Sequence, residues 1–204
     1  MKTIVITGAS GSGKSYLSNK LSRLFYNSIV IKTDSYYIDS IFIKFLSRFL
    51  YDIYDRPLSV KKKEIMKTIR SIQNKDRLIS FSNYDFKRKH SSQSKISINY
   101  KGDNQFLILE GIFAHRLDLN YKKSINILCE EEKGICFKRR LKRDQLERGR
   151  NSIEVYKKFN KSWYLFYEHL KNFQNNSKVI KINPLDTISY NNLVLNLKDL
   201  KKNN

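Results

Sequence analysis

Residues 8–15 read Gly8-Ala9-Ser10-Gly11-Ser12-Gly13-Lys14-Ser15, an unbroken G-x-x-x-x-G-K-[ST] octapeptide. Glycines let the backbone turn its N–H groups inward around phosphate oxygens. Lys14 can reach the β- and γ-phosphates, and the Ser15 hydroxyl can ligate Mg²⁺. Two acids stand where such a loop would use them. Asp34 lies just past a second short apolar run, and Glu110 closes the run Phe106 to Leu109. A carboxylate at Asp34 could accept the proton of an attacking hydroxyl or hold Mg²⁺ through water. It could equally cap the next helix, and the spacing does not choose between these roles. Glu110 could position the waters of Mg²⁺, with Gly111 expected to leave room beside it.

Arg139, Arg140, Lys142, Arg143, Arg148 and Arg150 cluster in the segment FKRRLKRDQLERGR. Guanidinium forks suit phosphate oxygens and can neutralise transition-state charge. A solvated helix with i,i+4 pairs, such as Arg143 with Glu147 and Arg140 with Asp144, is the plainer reading. The flexible Arg148-Gly149-Arg150 end favours a closing lid at about 137–150.

The elements that must position these groups follow from apolar periodicity. Thr3 to Thr7, Ser28 to Thr33, Phe106 to Leu109, Ile125 to Cys129 and Val179 to Ile182 read as buried strands. Leu17, Leu21 and Leu24 mark the helix after the glycine loop, and Ile65, Ile69 and Ile72 mark another. Ile41, Phe42, Phe45, Phe49 and Leu50 form a helical stripe that Asp55-Arg56-Pro57 breaks. Val155, Phe159, Trp163, Phe166, Leu170 and Phe173 lie along one long helix, and the tail after Pro184 is helical. Leu78 to Phe81 and Ile96 to Tyr100 read as strands of a sheet extension at about 78–104. Strands alternating with helices imply a parallel sheet covered on both faces, with ligands at the strands' carboxyl ends.

Composition bounds the rest. The 204 residues fit one domain spanning 1–204 with a substantial core. The formal net charge of +21 suits a polyanionic partner, but the basic residues run along the whole chain, which argues against nucleic acid. Cys129 and Cys136 read as buried thiols of a reducing cytoplasm. The N-terminus runs straight into the glycine loop without a signal peptide, and the apolar runs are far short of a membrane span, so a cytoplasmic protein is expected. An N-K-x-D guanine motif is absent, which turns the reading from GTPases towards small-molecule kinases.

Taken together, these motifs resemble uridine kinases of the phosphoribulokinase/uridine kinase group. Six blocks match in order: GASGSGKS at 8–15, TDSYY at 33–37, YDRP at 54–57, NYDF at 83–86, ILEGIFA at 108–114 and RRLKRDQLERGR at 139–150. The resemblance implies an α/β P-loop NTPase three-layer sandwich with a small β extension and an arginine-rich lid. It implies Asp34 as the base for a nucleoside 5′-hydroxyl and Asp55 as the holder of ribose hydroxyls. Tyr54, Tyr84 and Phe86 would flank the nucleobase, with His90 one place later than the family's histidine. Arg140 and Arg150 would face the nucleoside, and Arg143 and Arg148 would belong to the phosphate lid. Changes at Ile38, Arg56 and Lys89 touch the base pocket more than the phosphate machinery.

The expected reaction is therefore phosphoryl transfer from ATP or GTP, with Mg²⁺, to uridine or cytidine in pyrimidine salvage. Similar enzymes are homo-oligomers. A kinase of the same family with another small alcohol as substrate stays open, as does a nucleic-acid-binding P-loop ATPase.

Overall fold

The computed structural model describes residues 1–39, 59–88, 90–102, 105–117, 124–176 and 178–202. Tyr54, Asp55 and the apolar stripe of residues 41–50 lie outside them. The strands are β1 (Lys2–Gly8), β2 (Ile29–Lys32), β3 (Leu78–Asp85), β4 (His90–Ser97), β5 (Phe106–Glu110), β6 (Ile125–Cys129) and β7 (Val179–Ile182). The α-helices are α1 (Lys14–Leu24), α2 (Lys62–Gln73), α3 (Lys133–Arg148), α4 (Ser152–Asn176) and α5 (Thr187–Lys202).

Five strands form one sheet in the order β2-β5-β1-β6-β7, and every pairing in it is parallel. Alternation along each strand sends side chains to two layers. Ile4, Ile6, Ile108 and Ile127 meet Leu17 and Leu21 of α1 and Leu193 and Leu197 of α5 on one face. Val5, Leu107 and Leu109 meet Ile65, Ile69 and Ile72 of α2 on the other. Beside them, Leu128 packs with Phe166, Leu170 and Phe173 of α4. This is the expected P-loop three-layer sandwich, with both faces of the sheet buried as a parallel sheet requires.

The extension is a two-stranded antiparallel hairpin, β3 with β4, registered Ile79 to Ile96 and Asp85 to His90. Its second strand lies earlier than Ile96 to Tyr100. The sequence HSSQSKIS is almost wholly exposed, so it carries no apolar alternation. Main-chain pairing to β3 makes it a strand, and this pairing leaves no mark in side-chain pattern.

A buried histidine ties the sheet to α4. The Thr7 hydroxyl donates to the Ile112 carbonyl at 2.9 Å and accepts from His115 Nδ1 at 2.9 Å. Thr7 has one proton to give, so His115 carries its own on Nδ1. Its Nε2 has no hydrogen-bond partner among the described residues, and the ring contacts Phe166 and Phe173. Burial, with lesser repulsion from Arg116 and His169, pushes its pKa down to about 4.

Candidate active site

The octapeptide connects β1 to α1 at the carboxyl edge of the sheet. Gly11 adopts φ 89°, a left-handed conformation, and a Cβ there would stand 2.2 Å from the Cys136 carbonyl oxygen. The loop can therefore turn only on a residue without a side chain. Lys14 is buried and donates from Nζ to the Ala9 carbonyl at 2.8 Å, which holds its ammonium across the loop. The Ser12 hydroxyl is buried with no hydrogen-bond partner among the described residues. An ammonium, a buried hydroxyl and a helix N-terminus together fit an anionic phosphate chain.

Strand order brings the acids to this loop. β5 lies between β1 and β2, pairing Ile6 with Glu110 and Lys32 with Glu110. Ser15 Oγ donates to Glu110 Oε1 at 3.0 Å. Gly111 does not leave open room beside Glu110, as the sequence suggests. A Cβ there would lie 1.8 Å from Thr33 Oγ1, so the absent side chain admits the turn that carries Asp34. Asp34 sits inside the 3₁₀ turn Thr33–Tyr36, as the acid of its first turn. Burial pushes the Glu110 carboxyl above its usual range. The Lys14 charge opposes this, the Asp34 charge adds to it, and the Ser15 hydrogen bond and Lys32 oppose it further. Asp34 and Glu110 thus lie within electrostatic reach of each other and of Lys14. Among the described residues no group of three or more His, Cys, Asp or Glu side chains could hold a metal by itself. The hydroxyl of Ser15 beside the carboxylate of Glu110 is a hard oxygen pair. It suits a cation that takes its remaining ligands from phosphates and water.

The arginines converge on one acid that sequence reading treats as a simple i,i+4 partner. Asp144 is fully buried. Its Oδ1 accepts from Arg143 Nε at 3.0 Å and Nη2 at 2.8 Å, and its Oδ2 accepts from Arg150 Nη1 at 2.9 Å. Arg148 Nη1 stands 3.5 Å from Oδ1 and Arg140 Nε 3.6 Å from Oδ2. Burial alone would raise the Asp144 pKa, but Arg143, Arg148 and Arg140 together hold it below the usual carboxylate range. Arg143 Nη2 also donates to Ser10 Oγ at 3.4 Å, joining α3 to the phosphate loop. Arg139 Nη1 donates to the Gly11 carbonyl at 3.2 Å and Nη2 to Glu131 at 3.0 Å. The Arg140 side chain is 1% exposed and donates to Ser162 Oγ of α4 at 2.7 Å, a contact that joins two helices.

Tyr84 and Phe86, with Tyr37 from the turn after β2, form three edge-on ring pairs at 5.2–5.8 Å. Arg148 lays its guanidinium 3.8 Å over the Phe86 ring. His90 stands away from this group, exposed, with Nδ1 3.5 Å from Asp39 Oδ2. Tyr37 and Asp144 are the groups that residue-by-residue reading passes over. Tyr37 lies within the TDSYY block, and Asp144 is an acid amid basic residues. The thiols are inert: burial pushes Cys129 to about 12 and Cys136 to about 11.

A phosphate loop on β1, acids at the ends of the neighbouring strands and arginines over the loop define a P-loop phosphotransferase. The chain belongs to the phosphoribulokinase/uridine kinase family, whose model matches residues 3–184. A uridine kinase of Ureaplasma parvum is 36% identical over 156 residues, which are 74% of this chain and 73% of that protein. A uridine kinase of Pectobacterium atrosepticum is 30% identical over 167 residues, 78% of this chain and 76% of that one. In the solved structures, a possible uridine kinase from Bacillus stearothermophilus matches with a TM-score of 0.58 at 14% identity, covering 88% of this chain and 87% of that chain. The YGR205w protein also matches at 0.58, with 15% identity and 90% and 86% coverage. At these identities the structural likeness concerns the fold. No helix among the described residues is long and apolar enough to cross a membrane.

Proposed function

We propose that this protein is a nucleoside kinase that transfers the γ-phosphate of ATP or GTP to the 5′-hydroxyl of uridine or cytidine, a pyrimidine-salvage step. The observation that carries the reading is a pair of side-chain groups. Lys14, Ser15, Glu110 and Asp34 gather at the phosphate loop, and Tyr37, three residues after Asp34, joins the rings of Tyr84 and Phe86, with Arg148 over Phe86. A phosphate end, acids and an aromatic end are the groups that a nucleoside and a triphosphate would need. Uridine kinases that align over three quarters of the chain support the same acceptor.

In this reading Asp34 accepts the proton of the attacking hydroxyl. Lys14 and the arginines of α3 stabilise charge spreading over the transferred phosphoryl oxygens. Ser15, with Glu110 behind it, would hold Mg²⁺, which would supply positive charge against the phosphates. Asp55 would hold the ribose hydroxyls and Tyr54 would join the base pocket; both lie outside the described residues.

The test is a phosphate-acceptor screen of purified protein across ribonucleosides, 2′-deoxyribonucleosides and other alcohols, with ATP and GTP in parallel. Uridine and cytidine should be the best acceptors. Uridine should exceed 2′-deoxyuridine in kcat/KM by roughly 10-fold or more, since losing one hydroxyl leaves the Asp55 carboxylate poorly paired. A non-nucleoside alcohol as the preferred acceptor would overturn the reading, while leaving the phosphate machinery standing.

A further inference from the structure

The strongest unassigned feature is the relation of Asp144 to its arginines. One carboxylate meets four guanidiniums, and Asp144 itself is 0% exposed. A helix needing a single stabilising pair would recruit one of them. Glu154 also reaches Arg150, at 3.9 Å, but is bound by Lys158 at 2.6 Å. Among the described residues, Arg143, Arg148 and Arg150 therefore outnumber the acids that meet them. The main chain of Asp144 takes part too: its carbonyl accepts from the Arg150 N–H at 3.1 Å, folding the chain back after Gly149. Gly149 itself has a left-handed φ of 62°. So one residue fixes, through side chain and backbone, where Arg143, Arg148 and Arg150 stand. Arg143 ends on Ser10 of the phosphate loop and Arg148 on Phe86.

We propose that Asp144 is the positioning residue of the phosphate lid: it aims the surplus guanidiniums at the triphosphate without touching it. The inference rests on the reading of this site as one for phosphoryl transfer. Planar forks held by a shared carboxylate are spared most of the side-chain entropy that free arginines would lose on meeting phosphate. Their mutual repulsion is offset by a buried negative charge, and a polyphosphate supplies the remainder.

Removing the charge should separate affinity from turnover. In Asp144→Asn the binding of MgATP and of inorganic tripolyphosphate, followed by calorimetry at low salt, should stay within about threefold, because removal of a repelling anion offsets the lost pre-organisation. kcat for the accepted nucleoside should fall by at least about 30-fold, since the forks no longer converge. The Arg143 Nε–Hε resonance, slow to exchange while it donates to Asp144, should be lost from the NMR spectrum. Asp144→Glu keeps the charge but moves it by about one carbon–carbon bond. It should bind MgATP normally and lose roughly 10-fold in kcat. If Asp144→Asn does not fold, Asp144→Glu decides. Turnover within threefold of the unmutated protein in either folded variant overturns the proposal. So does a loss of tripolyphosphate affinity that tracks a fall in melting temperature, which is the mark of a merely structural ion pair. Should no nucleoside be phosphorylated, the acceptor reading fails. The same variants are then judged on the slow hydrolysis of ATP by water, which needs no acceptor and should fall in the same proportion.

Discussion

Lys14 anchors its ammonium to the Ala9 carbonyl and so crosses the phosphate loop while still able to reach a ligand. Replacing it with Ala should leave the circular dichroism spectrum unchanged and lower kcat by about 10² or more, because one charge contact to the transferring phosphoryl is lost. Near-normal turnover in that folded variant would remove the kinase reading altogether. Asp34 allows a sharper test, because a proton acceptor and a helix cap would move different readouts. Asp34→Asn should reduce kcat by about 10² with little change in KM; an effect confined to the melting temperature would return it to a structural role. His115 makes a prediction about pH. Its folded pKa of about 4 lies below the ordinary 6.5, so the unfolded chain binds the extra proton. Stability from the neutral imidazole is therefore whole above pH 6.5 and drains away as pH falls towards 4, by about 3 kcal/mol. Urea unfolding at pH 7, 5.5 and 4.5 should show a shallower acid loss in His115→Leu than in the unmutated chain; parallel curves would refute the assignment. The octapeptide is legible in sequence because its chemistry is contiguous. Asp144 is not, because four i-spaced and loop arginines turning inward upon one acid is a packing outcome, and the same letters suit a solvated helix.

Elements were legible to the degree that they bury an apolar face. β1, β5 and β6 stand out as short apolar runs because both their faces are covered. The hairpin did not announce its second strand, since β4 has polar residues on both sides and is held by main-chain pairing to β3. Nor could spacing show that the turn after β3 touches the end of α3. That contact, Arg148 over Phe86, links the β extension to the arginine helix. A double-mutant cycle on Arg148→Ala and Phe86→Leu, read by urea unfolding, should give a coupling of about 1 kcal/mol. Additive effects would mean that the two merely lie side by side. Arg148→Ala alone should also slow turnover, whereas Phe86→Leu should act mainly through the KM of the acceptor.

For the whole molecule, the order β2-β5-β1-β6-β7 is what gathers residues from distant parts of the chain. Placing β5 between β1 and β2 sets Glu110 beside Ser15 and beside the turn bearing Asp34, groups separated by up to 95 positions. Alternating strands and helices announced the sandwich, but they do not state which strands are neighbours. One close approach governs how the parts can move. The outer bend of the phosphate loop rests on α3: Gly11 lies under the Cys136 carbonyl, and Arg139 holds the Gly11 carbonyl from the same helix. Loop and helix root form one mechanical body, so any closing stroke of the arginines must be hinged further along α3, towards Gly149. A methyl group at position 11 would then act as a shim, wedging the loop from its seat and tilting the whole lever that carries the guanidiniums.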